Sequence, residues 1–132
     1  MLNNNSEPIS TDLLSFLVNY ENAIALINHP VEQARYEKSF DGKCVEWSGV
    51  VYRIEDVSEL GSRSETFYID VIHKTIQKTP KNSIVKFTAY FTNPADEAKI
   101  RLDQEIKVQG TISSWNKFTK NWVIKDSNIV SG

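Results

Sequence analysis

The stretch that decides the fold is "KCVEWSGVVYRIED", residues 43–56. It is rich in β-branched and aromatic residues, which favour a β-strand. Gly49 interrupts it, and a glycine inside a strand typically marks a bulge or a sharp bend. The sequence therefore predicts a long first strand that curls at its centre.

Four further strands are predicted after this one, in "TFYIDVIHK" (66–74), "SIVKFTAYF" (83–91), "EIKVQGTIS" (105–113) and "NWVIKDSNIV" (121–130). Apolar and polar residues alternate in them, so that one face of each is apolar. The predicted inward residues are Phe67, Ile69, Val71, Val85, Phe87, Ala89, Phe91, Ile106, Val108, Ile112, Trp122 and Ile124. Short strands of this kind favour a small barrel, because closure removes exposed sheet edges. The predicted fold class is mainly β, a five-stranded OB-fold barrel whose long first strand serves both halves.

Helices are predicted before the barrel. Residues 10–29 carry apolar side chains at spacings of three and four, with Ser10 or Thr11 as the N-cap. A short second helix follows Pro30, with Val31, Ala34 and Phe40 on its inward side. We expect residues 1–9 to form a disordered tail, 10–41 a helical segment packed on the barrel, and 42–132 the barrel. The alternative for the first helix is a homodimer interface, since its apolar stripe is wide.

Three segments carry a resemblance to a known family: "FDGKCVEWSGVVYRIED" (40–56), "LDQEIKVQGTISSW" (102–115) and "NWVIKDSNIV" (121–130). Together they resemble the tRNA_anti-like branch of OB-fold proteins. The matching residues are Gly42, Lys43, Val45, Gly49, Val51, Val108, Gly110, Ile112, Asp126 and Ile129. The resemblance implies binding of nucleic acid or an oligomer, by analogy of fold.

Composition limits the classes of function. The formal net charge of −2 counts against strong non-specific binding of nucleic acid, although a local basic patch remains compatible with it. No run reaches the roughly 20 apolar residues of a membrane-spanning helix, and the start of the chain does not resemble a secretory signal. The one cysteine, Cys44, fits a reducing compartment. We therefore expect a cytoplasmic protein without a membrane partner.

Neither a metal site nor a catalytic site is predicted. His29, His73 and Cys44 lie far apart in the sequence, without the spacing of zinc ligands. No nucleophile motif and no phosphate-binding glycine loop occurs. The sequence favours a non-enzymatic protein without a cofactor.

A binding site is predicted where OB-folds hold their ligands, on the second and third strands and the loops that frame them. Aromatic rings there can stack on bases while lysines contact phosphates. The candidate residues for nucleic-acid binding are Arg53, Arg63, Tyr68, Lys74, Lys86, Tyr90, Trp115, Lys117, Phe118 and Lys120.

Each of these residues also has a structural interpretation. In this interpretation Tyr68 and Tyr90 only stabilise the sheet as a cross-strand pair, and Trp115 and Phe118 close the barrel or rest against the first helix. An acidic loop with Glu55, Asp56 and Glu59 would repel phosphates.

Two functions therefore stay open. One is binding of single-stranded nucleic acid, DNA or RNA. The other is a protein–protein interaction module, such as an inhibitor, immunity protein or assembly subunit, that uses the aromatic rim and the first helix.

Overall fold

The structure, a computed structural model, describes residues 7–57 and 65–131. Two helices come first, α1 (Leu13–Ala25) and α2 (Pro30–Lys38). Five strands follow: β1 (Cys44–Asp56), β2 (Phe67–Ile72), β3 (Lys86–Phe91), β4 (Glu105–Asn116) and β5 (Asn121–Ser131). A 3-10 helix, Pro94–Lys99, connects β3 to β4.

The strands form a closed barrel in the order β1-β2-β3-β5-β4. Neighbouring strands are antiparallel except β3 and β5, which are parallel. Strand β1 closes the barrel because it pairs with β4 through its first half and with β2 through its second half. The predicted fold class, a mainly β five-stranded barrel preceded by two helices, is confirmed.

Gly49 lies where β1 changes partner. It is opposite Ile106 of β4, and the next residue, Val50, is paired with both strands. A Cβ atom on Gly49 would lie 2.3 Å from the carbonyl oxygen of Ile72, far inside van der Waals contact. Only glycine allows the strands to approach this closely.

The core fills the barrel and continues into α1. All twelve predicted inward residues of strands β2 to β5 and their flanks are buried. Leu13, Leu17 and Tyr20 of α1 are buried in the same cluster, so α1 is packed on the barrel. Burial, followed by the nearby Glu37 carboxylate, raises the pKa of Tyr20 above its ordinary value, so the phenol stays neutral.

The entry to α1 differs from the prediction in one respect. Asp12 is the N-cap, and its side chain accepts a hydrogen bond from the backbone N–H of Ser15. Ser10 is instead bridged to Val45 of β1, and its hydroxyl accepts a hydrogen bond from Trp47 Nε1 at 2.8 Å. Ile9, the last residue of the predicted tail, donates its backbone N–H to Cys44.

Two of the three residues predicted on the inward side of the second helix are exposed. Val31 is 63% exposed and Ala34 is also exposed, and none of the nine residues of α2, all of them described, is fully buried. The third, Phe40, lies beyond the end of α2 and is packed against the core. The prediction is therefore wrong at Val31 and Ala34, and the inward contact from α2 is made by Tyr36, whose ring stacks on Tyr20 with centroids 5.8 Å apart.

Candidate functional site

The outer face of β2 and β3 carries a tyrosine pair. Tyr68 lies directly opposite Tyr90, and their ring centroids are 5.1 Å apart. Both residues are half-buried. The predicted cross-strand pairing is therefore present, and it leaves two adjacent rings partly accessible on the face where OB-folds hold ligands.

Arg53 of β1 extends this face. Its guanidinium carbon lies 5.9 Å from the centroid of the Tyr68 ring, within cation–π distance. It also donates hydrogen bonds to Glu55 at 3.1 and 3.3 Å. That hydrogen bond raises the pKa of Arg53 above its ordinary value, whereas burial raises the pKa of Tyr68. Glu55, expected to repel phosphates, is thus engaged with a cation.

The two lysines predicted on this face have different surroundings. Lys86 Nζ donates to the hydroxyl of Tyr52 at 2.9 Å. Lys86 shares the outer face with Tyr90 but pairs with Ile72, so the Asp70–Thr88 pair separates it from Tyr68 and Tyr90. Lys74 lies beyond the end of β2, where it forms an ion pair with Glu105 at 3.2 Å. The structure does not bring Lys74 together with the tyrosine pair.

A hairpin between β4 and β5 frames the face. The Asn116 side chain accepts hydrogen bonds from the backbone N–H groups of Phe118 (2.9 Å) and Thr119 (3.2 Å). Lys120 closes the turn in the left-handed conformation, with φ of 55°, and donates its backbone N–H to the Asn116 carbonyl. This turn holds Phe118 at its tip, where the residue is 99% exposed.

Trp115 has the opposite environment. Its ring lies 4.9 Å from Tyr20 of α1 and 5.1 Å from Trp122 of β5, measured between centroids, and it is half-buried. Trp115 therefore rests against the first helix, as the structural interpretation expected, whereas Phe118 does not and is almost fully exposed.

A buried polar network ties the hairpin to the sheet. Asn121, fully buried, donates to the Thr88 hydroxyl at 3.2 Å and accepts from the Thr119 hydroxyl. Thr88 in turn donates to the carboxylate of Asp70, which is 6% exposed. The position of Phe118 relative to the tyrosine pair is therefore fixed by side-chain hydrogen bonds as well as by the strands.

Between the tyrosine pair and the hairpin lies a hollow of about 540 Å³. Tyr90, Phe118 and Val123 line it with apolar surface, and Lys117 and Lys125 line it with positive charge. Glu65 is its one acidic residue among those that the structure describes. The hollow has room for one planar ring and an adjoining charged group.

Three residues of this region escaped the sequence analysis: Tyr52, Val123 and Lys125. Alternation from Val51 would have placed Tyr52 outward, and alternation from Trp122 and Ile124 would have placed Val123 and Lys125 outward. No sequence pattern indicates the hydrogen-bond network of Asn121, because Asn121 reaches Thr88 only when β3 pairs with β5. Arg63 and Glu59 lie outside the described residues.

The predicted absence of a metal site stays a prediction. Across residues 7–57 and 65–131, no group of three or more His, Cys, Asp and Glu side chains is placed to hold an ion. His73 Nδ1 instead accepts hydrogen bonds from the backbone N–H groups of Thr75 and Ile76. In the same described part of the chain, neither helix has the length and apolar character needed to cross a membrane.

Comparisons with known proteins address the fold. Neither a protein-family profile nor a curated protein matches this chain. A solved structure from Klebsiella pneumoniae subsp. pneumoniae MGH 78578, described as a "putative nucleic acid-binding lipoprotein", is similar with a TM-score of 0.61. The two are 17% identical, and the alignment covers 94% of this chain and 92% of the other. At that identity the likeness supports the fold over nearly the whole chain.

Proposed function

We propose that this protein binds single-stranded nucleic acid, without catalysis, on the outer face of β2 and β3 and against the β4–β5 hairpin. Phe118 stacks on one base, and the Tyr68–Tyr90 pair contacts its neighbour. Lys117, Lys120 and Lys125 contact the phosphates. The resemblance to the tRNA_anti-like family and the cytoplasmic location remain predictions of the sequence.

The observation that carries this proposal is the exposure of Phe118. A phenylalanine side chain left in water forgoes roughly 1.5–3 kcal/mol of burial free energy. The turn built by Asn116 fixes the backbone at Phe118, so little backbone entropy is lost when a flat ligand stacks on the ring. A nucleobase stacked on an aromatic side chain contributes about 1–3 kcal/mol.

Charge around the hollow supports the same ligand. The chain as a whole is acidic, with a net charge of −2, yet Lys117 and Lys125 line the hollow beside Phe118, and Lys120 lies two residues further along the same hairpin. Lys86 adds a positive charge farther along the outer face of β3, whereas Arg53 is paired with Glu55. Three phosphate contacts to a single strand give a slope of about −2 for log K against log salt. The expected affinity is therefore modest and sensitive to salt.

The test is fluorescence anisotropy with labelled oligo-dT and oligo-U at several salt concentrations. Phe118→Ala should weaken binding about 5- to 100-fold, because one stacked base is lost. The thermal unfolding midpoint of the Phe118→Ala variant should equal that of the wild type, because the Phe118 ring makes no buried contact. Leu102→Ala, which removes another exposed apolar side chain outside the hollow, is the control and should bind as the wild type does.

Two outcomes would reject the proposal. One is no binding of either oligonucleotide at low salt. The other is binding that Phe118→Ala leaves unchanged. A salt slope near zero would also remove the lysines from the interface.

A further inference from the structure

A second groove borders the same hairpin, between the hairpin, α1 and α2, with a volume of about 650 Å³. We propose that this groove binds an acidic, amphipathic helical segment of a partner protein. It shares Trp115 and Lys117 with the hollow beside Tyr90, but most of its walls come from the two helices. The proposal does not depend on nucleic-acid binding at the tyrosine face.

The wall of the groove formed by the helices is apolar. Ile24, Ala25, Pro30 and Ala34 line it, and Trp115 lies on the hairpin side. Outside the lining of the groove, Leu26 in the short connection between the helices is 83% exposed and Val31 of α2 is 63% exposed. Exposed apolar residues on and next to a helix of which no described residue is fully buried are typical of a surface that a partner covers.

The rim of the groove is basic. Lys38, Lys81, Lys117 and Lys120 line it, and within the described part of the chain none of the four forms an ion pair. The groove has two carboxylates, and both are engaged. Glu21 accepts from the Ser83 hydroxyl and is 8% exposed, whereas Glu37 accepts from the Tyr20 hydroxyl. Four cations and two anions give the groove a local positive charge in a chain that is negative overall.

These features favour a protein segment over a nucleic acid. The walls formed by the helices are aliphatic and Tyr20 is buried, so among the described residues of the lining the half-buried Trp115 is the one aromatic ring left for a base to stack on. The floor carboxylates Glu21 and Glu37 would also lie against a phosphate backbone. An amphipathic helix instead places apolar side chains at spacings of three and four against Ile24 and Ala34, and its carboxylates reach the lysines on the rim.

The probe for this proposal is a fluorescein-labelled 15-residue helical peptide with leucines at the i, i+3, i+4 and i+7 positions and glutamates on the opposite face. Wild-type protein should bind it with a Kd of roughly 10–100 µM. The double variant Lys38→Glu with Lys81→Glu should weaken binding by at least about tenfold. The pair Lys43→Glu with Lys107→Glu changes the net charge equally outside the groove and should leave binding unaltered.

Methyl NMR spectra show where the peptide binds. The methyl signals of Ile24, Ala25 and Ala34 should shift when the peptide is added, whereas the methyl signal of Ala98, which is exposed on the 3-10 helix, should not shift. Ala34→Glu should abolish binding, whereas Ala98→Glu should not.

Three results would overturn the proposal: no binding of the peptide, equal losses in the two lysine pairs, or equal binding of a permuted peptide of the same composition without an apolar face. Loss of oligo-dT binding in the Lys38→Glu, Lys81→Glu variant, without peptide binding, would assign the groove to a nucleic acid instead. Retained oligo-dT binding in that variant leaves the proposal for the tyrosine face intact, so the two can fail separately.

Discussion

Trp115 and Phe118 belong to one hairpin and have opposite environments, and the last of three register shifts between β4 and β5 accounts for the inward position of Trp115. The inward residues Ile106, Val108 and Ile112 occupy even positions, so simple alternation places Trp115 outward. The register shifts between Ile112 and Ser114, and after this shift Trp115 lies opposite the buried Trp122. A bulge of this kind moves each following side chain to the other face. Sequence alternation could not resolve the question, since nothing in "ISSW" indicates the bulge.

The contrast between the two rings gives a prediction at the scale of one residue. Trp115→Ala should lower the free energy of unfolding by about 1–3 kcal/mol, less than for a fully buried tryptophan, because the ring is half-buried against Tyr20 and Trp122. Urea unfolding measures this loss. Phe118→Ala is the matched control in the same hairpin and should leave stability unchanged. Equal stability of the two variants would contradict the packing of Trp115.

At the scale of the element, the hairpin is held by Asn121 rather than by its strands alone. Asn121→Ala removes the hydrogen bonds to Thr88, Thr119 and the Trp122 carbonyl, and should destabilise the protein by about 1–3 kcal/mol. It should also increase hydrogen exchange of the hairpin amides and weaken oligonucleotide binding while Phe118 is still present. Asn128→Ala, at an exposed position of β5, is the control. Unchanged exchange in the hairpin would show that the network does not position Phe118.

The elements differ in how well the sequence predicts them. Strand β3 alternates without interruption, and β2 does so except at Asp70, which is buried on the outer side. The predicted faces are those observed, so Tyr68 and Tyr90 lie on the outer side as expected. On α2 the prediction was wrong at Val31 and Ala34, because the stacking of Tyr36 on Tyr20 of another helix has no signal in the local sequence pattern. Ion pairs such as Lys74–Glu105 join distant segments and leave no local signal.

For the whole molecule, closure of the barrel was predictable because it follows from five patterned strands and the glycine where β1 changes partner. The extension of the core into α1 was also indicated, since its apolar stripe needs a surface to cover. Leu17 is fully buried in the core cluster that contains Trp47 and Trp122 of the barrel, whereas Leu26 is 83% exposed beyond the end of the helix. Helix and barrel therefore share one hydrophobic core and are expected to unfold together.

Leu17→Ala tests this shared core. It should lower the free energy of unfolding by about 2–5 kcal/mol, the usual cost of a cavity at a buried leucine. Because one core is involved, thermal unfolding followed by helical circular dichroism and by tryptophan fluorescence should give one common midpoint, reduced equally in both signals. Leu26→Ala makes the same chemical change at an exposed position and should leave both signals unaltered. A different result would contradict the shared core: the helical signal is lost at a lower temperature while the fluorescence midpoint keeps its wild-type value. In that case α1 unfolds as a separate unit, and its apolar stripe fits the alternative role of a homodimer interface.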